Sequence, residues 1–210
     1  MLESFAHLYL GHLFGDYVLQ FGWIAANKSK SKAVLTLHVL LVYLSQIAFS
    51  LGHGYRFFHI ALITAVGIAH YFIDYLKLTK GDNGWQWYLL DQIFHLITIL
   101  AIMPFFTNVQ FFLPENISEK LMITIFNAYF LSFLGYFAFR RGETYKRDWP
   151  GYIIRGVFPW VGNIFYVAVL FGIEILRNFL RRNEKKLFLE NVFVAGLAFL
   201  TTILWEVLVW

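Results

Sequence analysis

Histidine and aspartate side chains recur four residues apart within apolar stretches of the chain. The pairs are His12 with Asp16, His70 with Asp74, and Asp91 with His95. Because an α-helix turns once in about 3.6 residues, side chains four apart point from the same helix face. A histidine and an aspartate placed in this way can ligate one metal ion, or one can ligate it while the other orients the ligand. The spacing therefore predicts a site with nitrogen and oxygen ligands.

The composition indicates that lipid covers much of the molecular surface. Hydrophobic residues make up 59% of the 210 residues and charged residues only 14%, which is too little charge for a water-facing surface. A membrane-spanning helix needs about 20 mostly apolar residues. Such stretches cover residues 5–26, 33–51, 57–76, 85–106, 121–139, 152–176 and 187–209. The sequence therefore predicts an all-α fold, a polytopic transmembrane helical bundle of six or seven segments.

Two of these segments contain residues that are unusual in a membrane helix. The first carries Gly15 and Asp16 in its middle and lacks a basic stretch before it, so we expect it to remain in the mature protein rather than to be a cleaved signal peptide. The sixth contains Arg155, Pro159 and Glu174. We expect the sixth segment to be re-entrant, interfacial or broken.

Basic residues mark the loops that we predict to be cytoplasmic. They are Lys28, Lys30 and Lys32 in the first loop, Lys77 and Lys80 in the third, and Arg140, Arg141, Lys146 and Arg147 after the fifth segment. The positive-inside rule then places the N-terminus outside. Basic loops at a membrane attract anionic lipid, so the expected partner is membrane lipid, and we expect no nucleic-acid partner.

Seven ionisable side chains in the first four segments form the predicted site. They are His12, Asp16, His38, His70, Asp74, Asp91 and His95. Each costs about 2.5–3.5 kcal/mol near the centre of a membrane helix, so it is tolerated only beside another polar group, a water-filled cavity or a bound ion. At a rise of about 1.5 Å per residue, six of these residues lie about 6–15 Å along their helices from the lysine-rich ends, and His12 lies about one turn further. We expect one layer near the cytoplasmic side, with Asn27, Lys28 and Lys77 at its mouth.

The predicted ligands restrict the metal without selecting it. The chain has no cysteine, so nitrogen and oxygen donors must hold any ion, which suits Zn²⁺, Mn²⁺ or Fe²⁺. Four histidines and three aspartates exceed the needs of one tetrahedral ion, and the surplus suits either two ions or one ion with a general base. Gln20, which continues the helical stripe of His12 and Asp16, and Gln92 are predicted to support the ligands through hydrogen bonds or helix packing.

The same residues resemble the motifs of a bacterial multi-pass membrane family that is classified as a domain of unknown function. Its motifs are His-Leu-x-Gly-Asp-x-x-x-Gln, Asn-Lys, a lone His, His-x-x-x-Asp-x-x-Lys and Asp-Gln-x-x-His. They match His12, Leu13, Gly15, Asp16, Gln20, Asn27, Lys28, His38, His70, Asp74, Lys77, Asp91, Gln92 and His95. The resemblance supports treating these residues as one group and implies a bacterial cytoplasmic membrane. A looser similarity is to membrane-bound metal-dependent hydrolases, which also bury His/Asp sets between helices.

These observations favour a metal-dependent hydrolase that works just inside the cytoplasmic leaflet on a lipid-linked or amphiphilic substrate. We predict that Asp16, Asp74 and Asp91 are catalytic, either as ligands or as the base that takes a proton from metal-bound water. The predicted substrate-binding residues are Asn27, Lys28 and Lys77. Other functions remain open: a transporter or channel for protons or divalent cations, a bis-histidine haem protein, and a structural membrane partner.

Residues outside this site are expected to have structural roles. The predicted parts are a four-helix core with the site at 1–106, a loop at 107–120, and C-terminal transmembrane or interfacial helices at 121–210. Gly11 and Gly15 form a small-x-x-x-small face that allows a neighbouring helix to approach closely. His53 and His59 are interpreted as solvated residues near an outer loop, and the carboxylates of Glu174, Glu190 and Glu206 as lacking an evident partner.

Overall fold

The computed structural model describes residues 1–80, 84–143, 145, 147–180 and 184–209. Within these residues the chain forms a series of α-helices. They are α1 (Leu2–Leu13), α2 (Gly22–Asn27), α3 (Lys32–Ser50), α4 (Phe57–Lys80), α5 (Trp85–Ile102), α6 (Glu115–Ile125), α7 (Leu131–Phe139), α8 (Trp149–Val157), α9 (Ile164–Leu180) and α10 (Lys185–Val209). Two short strands, β1 (Gly52–His53) and β2 (Gln110–Phe111), pair antiparallel. The predicted all-α fold class is confirmed.

The chain forms two compact units, which are described separately. The N-terminal unit comprises Met1–Asp82 and Leu89–Met122, and the C-terminal unit comprises Asn83–Tyr88 and Ile123–Trp210. In the N-terminal unit, α3 packs against both α1 and α4. In the C-terminal unit, α10 packs against α7, α8 and α9.

Five helical stretches in the described part of the chain are long and apolar enough to cross a membrane. They are Lys32–Ser50, Phe57–Thr79, Trp85–Phe106, Glu115–Phe139 and Lys185–Leu208. Large apolar side chains such as Ile68, Phe72, Phe94 and Ile97 are exposed on α4 and α5. Exposed apolar faces on long helices are typical of contact with lipid. The protein is therefore a polytopic transmembrane helical bundle.

The first predicted segment is not one continuous helix. A π-helical turn over Phe14–Val18 follows α1, and the backbone becomes extended at Phe21, where ψ is 155°, before α2 begins. A π turn widens the helix locally and re-aims the side chains near it. Asp16 lies within this turn, whereas Gln20 lies beyond it. The predicted helical stripe of His12, Asp16 and Gln20 is therefore wrong at Gln20.

The sixth predicted segment is broken, which was one of its expected forms. Pro150 lies in the first turn of α8, where its missing N–H has no helical partner to lose. Pro159 lies in a 3₁₀ turn over Phe158–Trp160, and Gly162 adopts a left-handed conformation with φ of 63°. Proline cannot donate the hydrogen bond that a continuing helix needs, so α9 is a separate helix.

Buried ion pairs connect the helices of the C-terminal unit. Arg155 on α8 donates to Glu174 on α9 and, at 2.9 Å, to the Ser132 hydroxyl on α7. Arg140, which follows α7, donates to Glu190 on α10. Removing one partner of a buried ion pair costs about 3–5 kcal/mol, so these contacts strongly couple the four helices. The sequence shows no evident partner for Glu174 or Glu190, and the structure gives each of them an arginine partner.

Two histidines outside the predicted site are buried for structural reasons. His59 accepts a hydrogen bond from the backbone N–H of Arg56 at 2.8 Å, and its Nε2 lies 3.1 Å from the Phe105 carbonyl oxygen. The interpretation of His59 as solvated is therefore wrong, because Nδ1 binds the backbone just before α4 and Nε2 contacts the 3₁₀ turn that follows α5. His7, which the motifs did not single out, contacts a backbone carbonyl after β2 at 3.0 Å. His53 is exposed, as expected.

Gly11 and Gly15 allow α1 and the π turn to approach α3 closely. A Cβ atom on Gly11 would lie 2.7 Å from the Cα atom of Gln46, and one on Gly15 would lie 2.4 Å from the Cα atom of Val42. Both neighbouring atoms belong to the backbone of α3, which cannot rotate away as a side chain can. The predicted small-x-x-x-small face is confirmed.

Replacing Gly15 with alanine should destabilise the protein by about 1–3 kcal/mol, the usual effect of overpacking. The added methyl group would overlap the backbone of α3 at Val42. Gly22→Ala is the matched control, because a Cβ atom there meets nothing within 4 Å. Thermal unfolding of the purified protein in detergent measures both variants. An unchanged unfolding midpoint for Gly15→Ala would contradict the close approach.

Candidate metal centre

The structure brings the seven predicted ligands together in the N-terminal unit. They are His12 on α1, Asp16 in the π turn, His38 on α3, His70 and Asp74 on α4, and Asp91 and His95 on α5, and we call them the His/Asp cluster. Each of the seven side chains is buried. The four-residue spacing on α4 and α5 places each pair on one helix face, and the close approach of α1 to α3 brings the remaining three residues to the same place.

His38 lies among donor atoms from the π turn and from α4. Its Nε2 atom is 3.2 Å from Asp16 Oδ1, 3.3 Å from Asp74 Oδ2 and 3.5 Å from His70 Nε2. The donor atoms of Asp16, His38 and His70 all lie within 4.8 Å of one another. These three side chains form one group that could hold a metal ion.

His95 has a similar environment on the other side of Asp74. Its Nε2 atom is 3.4 Å from Asp74 Oδ1 and 3.5 Å from Asp91 Oδ1. Its ring stacks on His70 with a centroid separation of 4.0 Å and lies 5.0 Å from the ring of His12. The donor atoms of His70, Asp74 and His95 form a second group within 4.8 Å.

The separations between donor atoms fit a metal site. Ligand atoms around a tetrahedral ion with bonds of about 2.0–2.2 Å are about 3.3–3.6 Å apart, and most of the separations around His38 and His95 lie close to this range. Among the described residues, His12 Nε2, His95 Nε2 and Asp91 Oδ1 are buried without a hydrogen-bond partner. A buried polar atom left unpaired costs about 1–3 kcal/mol, and coordination of a cation would satisfy all three.

Two lysines form ion pairs with the carboxylates of the cluster. Lys28 Nζ lies 3.1 Å from Asp74 Oδ2 and 3.3 Å from His38 Nε2, and Lys77 Nζ lies 2.7 Å from Asp91 Oδ2. The lysine side chains are 16% and 21% exposed, so they lie at the accessible edge of a buried cluster. Burial alone would lower the pKa of Lys28, but the nearby carboxylates, Asp74 first among them, raise it above its usual value.

The remaining predicted residues differ in their contacts. Gln92 Nε2 donates to Asp16 Oδ2 and to Asp91 Oδ2, both at 3.2 Å, so it connects two carboxylates of the cluster. The Asn27 amide donates to the Trp23 carbonyl oxygen at 2.8 Å, a contact within α2. Gln20 lies past the π turn. The pairing of each lysine with a carboxylate of the cluster was not predicted, because no spacing rule connects Lys28 with Asp74.

A family model matches residues 4–124, which contain the whole His/Asp cluster together with Lys28, Lys77 and Gln92. The chain belongs to the DUF3307 family, described as proteins of unknown function. The match covers more than half of the chain and ends within α6. It confirms the family resemblance that the motifs indicated. No curated protein and no solved structure matches this DUF3307 protein.

Replacing Lys77 with methionine should lower stability by about 1–3 kcal/mol when divalent metal is absent, because Asp91 then loses its ammonium partner. Methionine keeps the apolar stem of the lysine. Added Zn²⁺ or Mn²⁺ should restore the unfolding midpoint, since a cation in the cluster supplies the missing positive charge. Lys30→Met, at an exposed lysine of the first loop, should have the stability of the wild-type protein both without metal and with added metal. Destabilisation that metal does not reverse would argue against cation binding beside Asp91.

Proposed function

We propose that this protein is a metal-dependent hydrolase that acts within the membrane on a lipid-linked or amphiphilic substrate. One observation carries the proposal. Buried nitrogen and oxygen donors from five elements converge at separations that fit metal coordination, and several of them lack any hydrogen-bond partner in the described part of the chain.

The proposed ion is Zn²⁺, Mn²⁺ or Fe²⁺, because imidazole and carboxylate donors suit all three. A bound ion lowers the pKa of its water toward about 7 and polarises the bond to be cleaved. His12, His38, His70 and His95 supply nitrogen ligands in this proposal. Asp16, Asp74 and Asp91 supply oxygen ligands, and a carboxylate oxygen that does not bind the ion takes the proton from the attacking water.

The compactness of the cluster favours a binding site over an ion path. A proton or cation path needs ionisable groups spread through the thickness of the membrane. The donor atoms of the cluster instead form two groups that share His70, each within 4.8 Å. Lys28 and Lys77 contact carboxylates of this cluster, so positive charge is localised at its accessible edge, next to the buried donor atoms.

The substrate class follows from what surrounds the cluster. Lys28 and Lys77 are partly exposed, and an ammonium group is a good partner for a phosphate or carboxylate headgroup. The exposed apolar faces of α4 and α5 would hold the lipid chain of such a molecule. With the lysine-rich loops in the cytoplasm, the proposed reaction takes place on the inner side of a bacterial cytoplasmic membrane and the N-terminus lies outside.

Chelation should abolish hydrolysis by the purified protein. A panel of lipid phosphates and amphiphilic esters in detergent micelles, supplied with Zn²⁺ or Mn²⁺, provides the assay. EDTA should remove activity and re-addition of metal should restore it. His70→Ala should lower the rate by more than about 100-fold, since loss even of a group that only supports a metal ligand costs 10–100-fold. His53→Ala, at an exposed histidine, should have no effect.

A different set of results would contradict the proposed hydrolase. The metal-loaded protein would cleave none of the panel, while proteoliposomes containing it would pass Mn²⁺ or protons and His70→Ala would stop that flux. A transporter would then replace the hydrolase. Metal binding without either activity would leave the cluster as a structural metal site.

Replacing Lys77 with glutamine should raise KM for an anionic substrate by about tenfold with little change in kcat. This pattern is expected when a residue binds the ground state and the transition state equally. Lys28→Gln should behave in the same way, and Lys30→Gln is the matched control from the same loop. A fall in kcat at unchanged KM would show instead that the ammonium groups act on the reacting centre.

A further inference from the structure

Asp74 faces histidines with both of its carboxylate oxygens. Oδ2 lies 3.3 Å from His38 Nε2, and Oδ1 lies 3.4 Å from His95 Nε2. A carboxylate with its two oxygens directed at separate donor groups has the arrangement that bridges two metal ions about 3.5–4 Å apart. Asp74 therefore has the position of a shared ligand.

The two outer carboxylates repeat one pattern on either side of Asp74. Asp16 Oδ1 lies 3.2 Å from His38 Nε2, and Asp91 Oδ1 lies 3.5 Å from His95 Nε2. Each of these histidines is thus flanked by one oxygen of Asp74 and one oxygen of an outer aspartate. We call the two groups the Asp16 half-site and the Asp91 half-site.

Gln92 connects the half-sites through the oxygens that do not face histidine. Its Nε2 atom donates at 3.2 Å to Oδ2 of Asp16 and at 3.2 Å to Oδ2 of Asp91. One amide group therefore orients both outer carboxylates so that their Oδ1 atoms point toward His38 and His95. Orientation of a ligand by a hydrogen bond to its free atom is usual around metal ions.

Hydrogen bonding does not account for the Asp91 half-site. His95 Nε2 and Asp91 Oδ1 are 3.5 Å apart, and among the described residues neither has a hydrogen-bond partner. His12 Nε2 is also buried without a partner, and the His12 ring lies 5.0 Å from that of His95. A bound cation would accept coordination from His95 Nε2, Asp91 Oδ1 and His12 Nε2. The donor atoms of His70 lie within 4.8 Å of those of Asp16 and His38 and also of those of Asp74 and His95. We assign His70 to the Asp16 half-site, where its Nε2 atom lies 3.5 Å from His38 Nε2.

The positive charges already present are divided between the half-sites. Lys28 contacts Asp74 Oδ2 and His38, whereas Lys77 contacts Asp91 Oδ2. Three buried carboxylates carry three negative charges and the two ammonium groups carry two positive charges, so the cluster has one uncompensated negative charge before any metal binds. Ions that displaced both ammonium groups would face all three carboxylates, and the charge of a single divalent ion would leave one of them uncompensated.

We infer that the His/Asp cluster holds two divalent metal ions, one in each half-site, with the carboxylate of Asp74 bridging them. This inference rests on the proposed metal-dependent function. The ligands of the first ion are Asp16, His38, His70 and Asp74. The ligands of the second ion are Asp74, Asp91, His95 and His12.

Loading with Mn²⁺ tests this assignment. The full-length protein in detergent is equilibrated with excess Mn²⁺, freed of unbound ion, and examined by elemental analysis and electron paramagnetic resonance. We expect two ions per chain and an exchange-coupled spectrum in place of the hyperfine pattern of an isolated ion. Asp16→Asn and Asp91→Asn should each retain one uncoupled ion, and His53→Ala should retain two coupled ions.

The ion count and the spectrum of the wild-type protein are sufficient to test the assignment. A variant that fails to fold therefore does not prevent a conclusion. One ion per chain would overturn the two-ion assignment and leave the metal-dependent function standing. Two ions without exchange coupling would overturn the bridging role of Asp74. No bound ion at all would overturn both this inference and the proposed function.

Discussion

An ionisable side chain in an apolar surrounding needs a partner, and the two units meet this requirement with different chemistry. In the C-terminal unit, Arg155 meets Glu174 and Arg140 meets Glu190. Guanidinium groups remain charged and match carboxylates in shape, so these contacts hold helices together. In the N-terminal unit, imidazole groups take the place of arginine. A neutral imidazole offers a lone pair to a cation, which a guanidinium cannot do.

Close helix packing and the π turn give the cluster its geometry. Gly11 and Gly15 bring the backbone of the first segment against α3 near Val42, about one helical turn from His38. The π turn holds Asp16 in the same region, and its Oδ1 atom lies 3.2 Å from His38 Nε2. A wider separation of these two segments would remove Asp16 from the group. The glycines therefore contribute to the site although they offer no side chain to it.

Sequence periodicity predicted the parts of the site that lie on unbroken helices. His70 with Asp74, and Asp91 with His95, lie on α4 and α5, where four-residue spacing determines the shared face. The π turn was not predicted, because residues 14–18 contain no proline and no other sequence signal that marks an extra residue in a helical turn. For this reason the predicted helical stripe does not extend to Gln20. The partners of Glu174 and Glu190 lie 19 and 50 residues away in the sequence, a separation at which helical periodicity gives no information.

The positions of the two lysines connect metal binding with substrate binding in the proposed enzyme. Lys28 and Lys77 are partly exposed and pair with Asp74 and Asp91, so a cation that enters from this edge competes with ammonium groups for the carboxylates. Once ions bind those oxygens, Lys28 and Lys77 no longer pair with Asp74 and Asp91, and in the proposed enzyme they then contact an anionic headgroup at the same edge. Arginine would suit this exchange less well, because its two-pronged contact would hold the carboxylates more tightly against the incoming ion. A lysine, with a single charge on a flexible stem, can leave the carboxylate and remain within reach of the substrate.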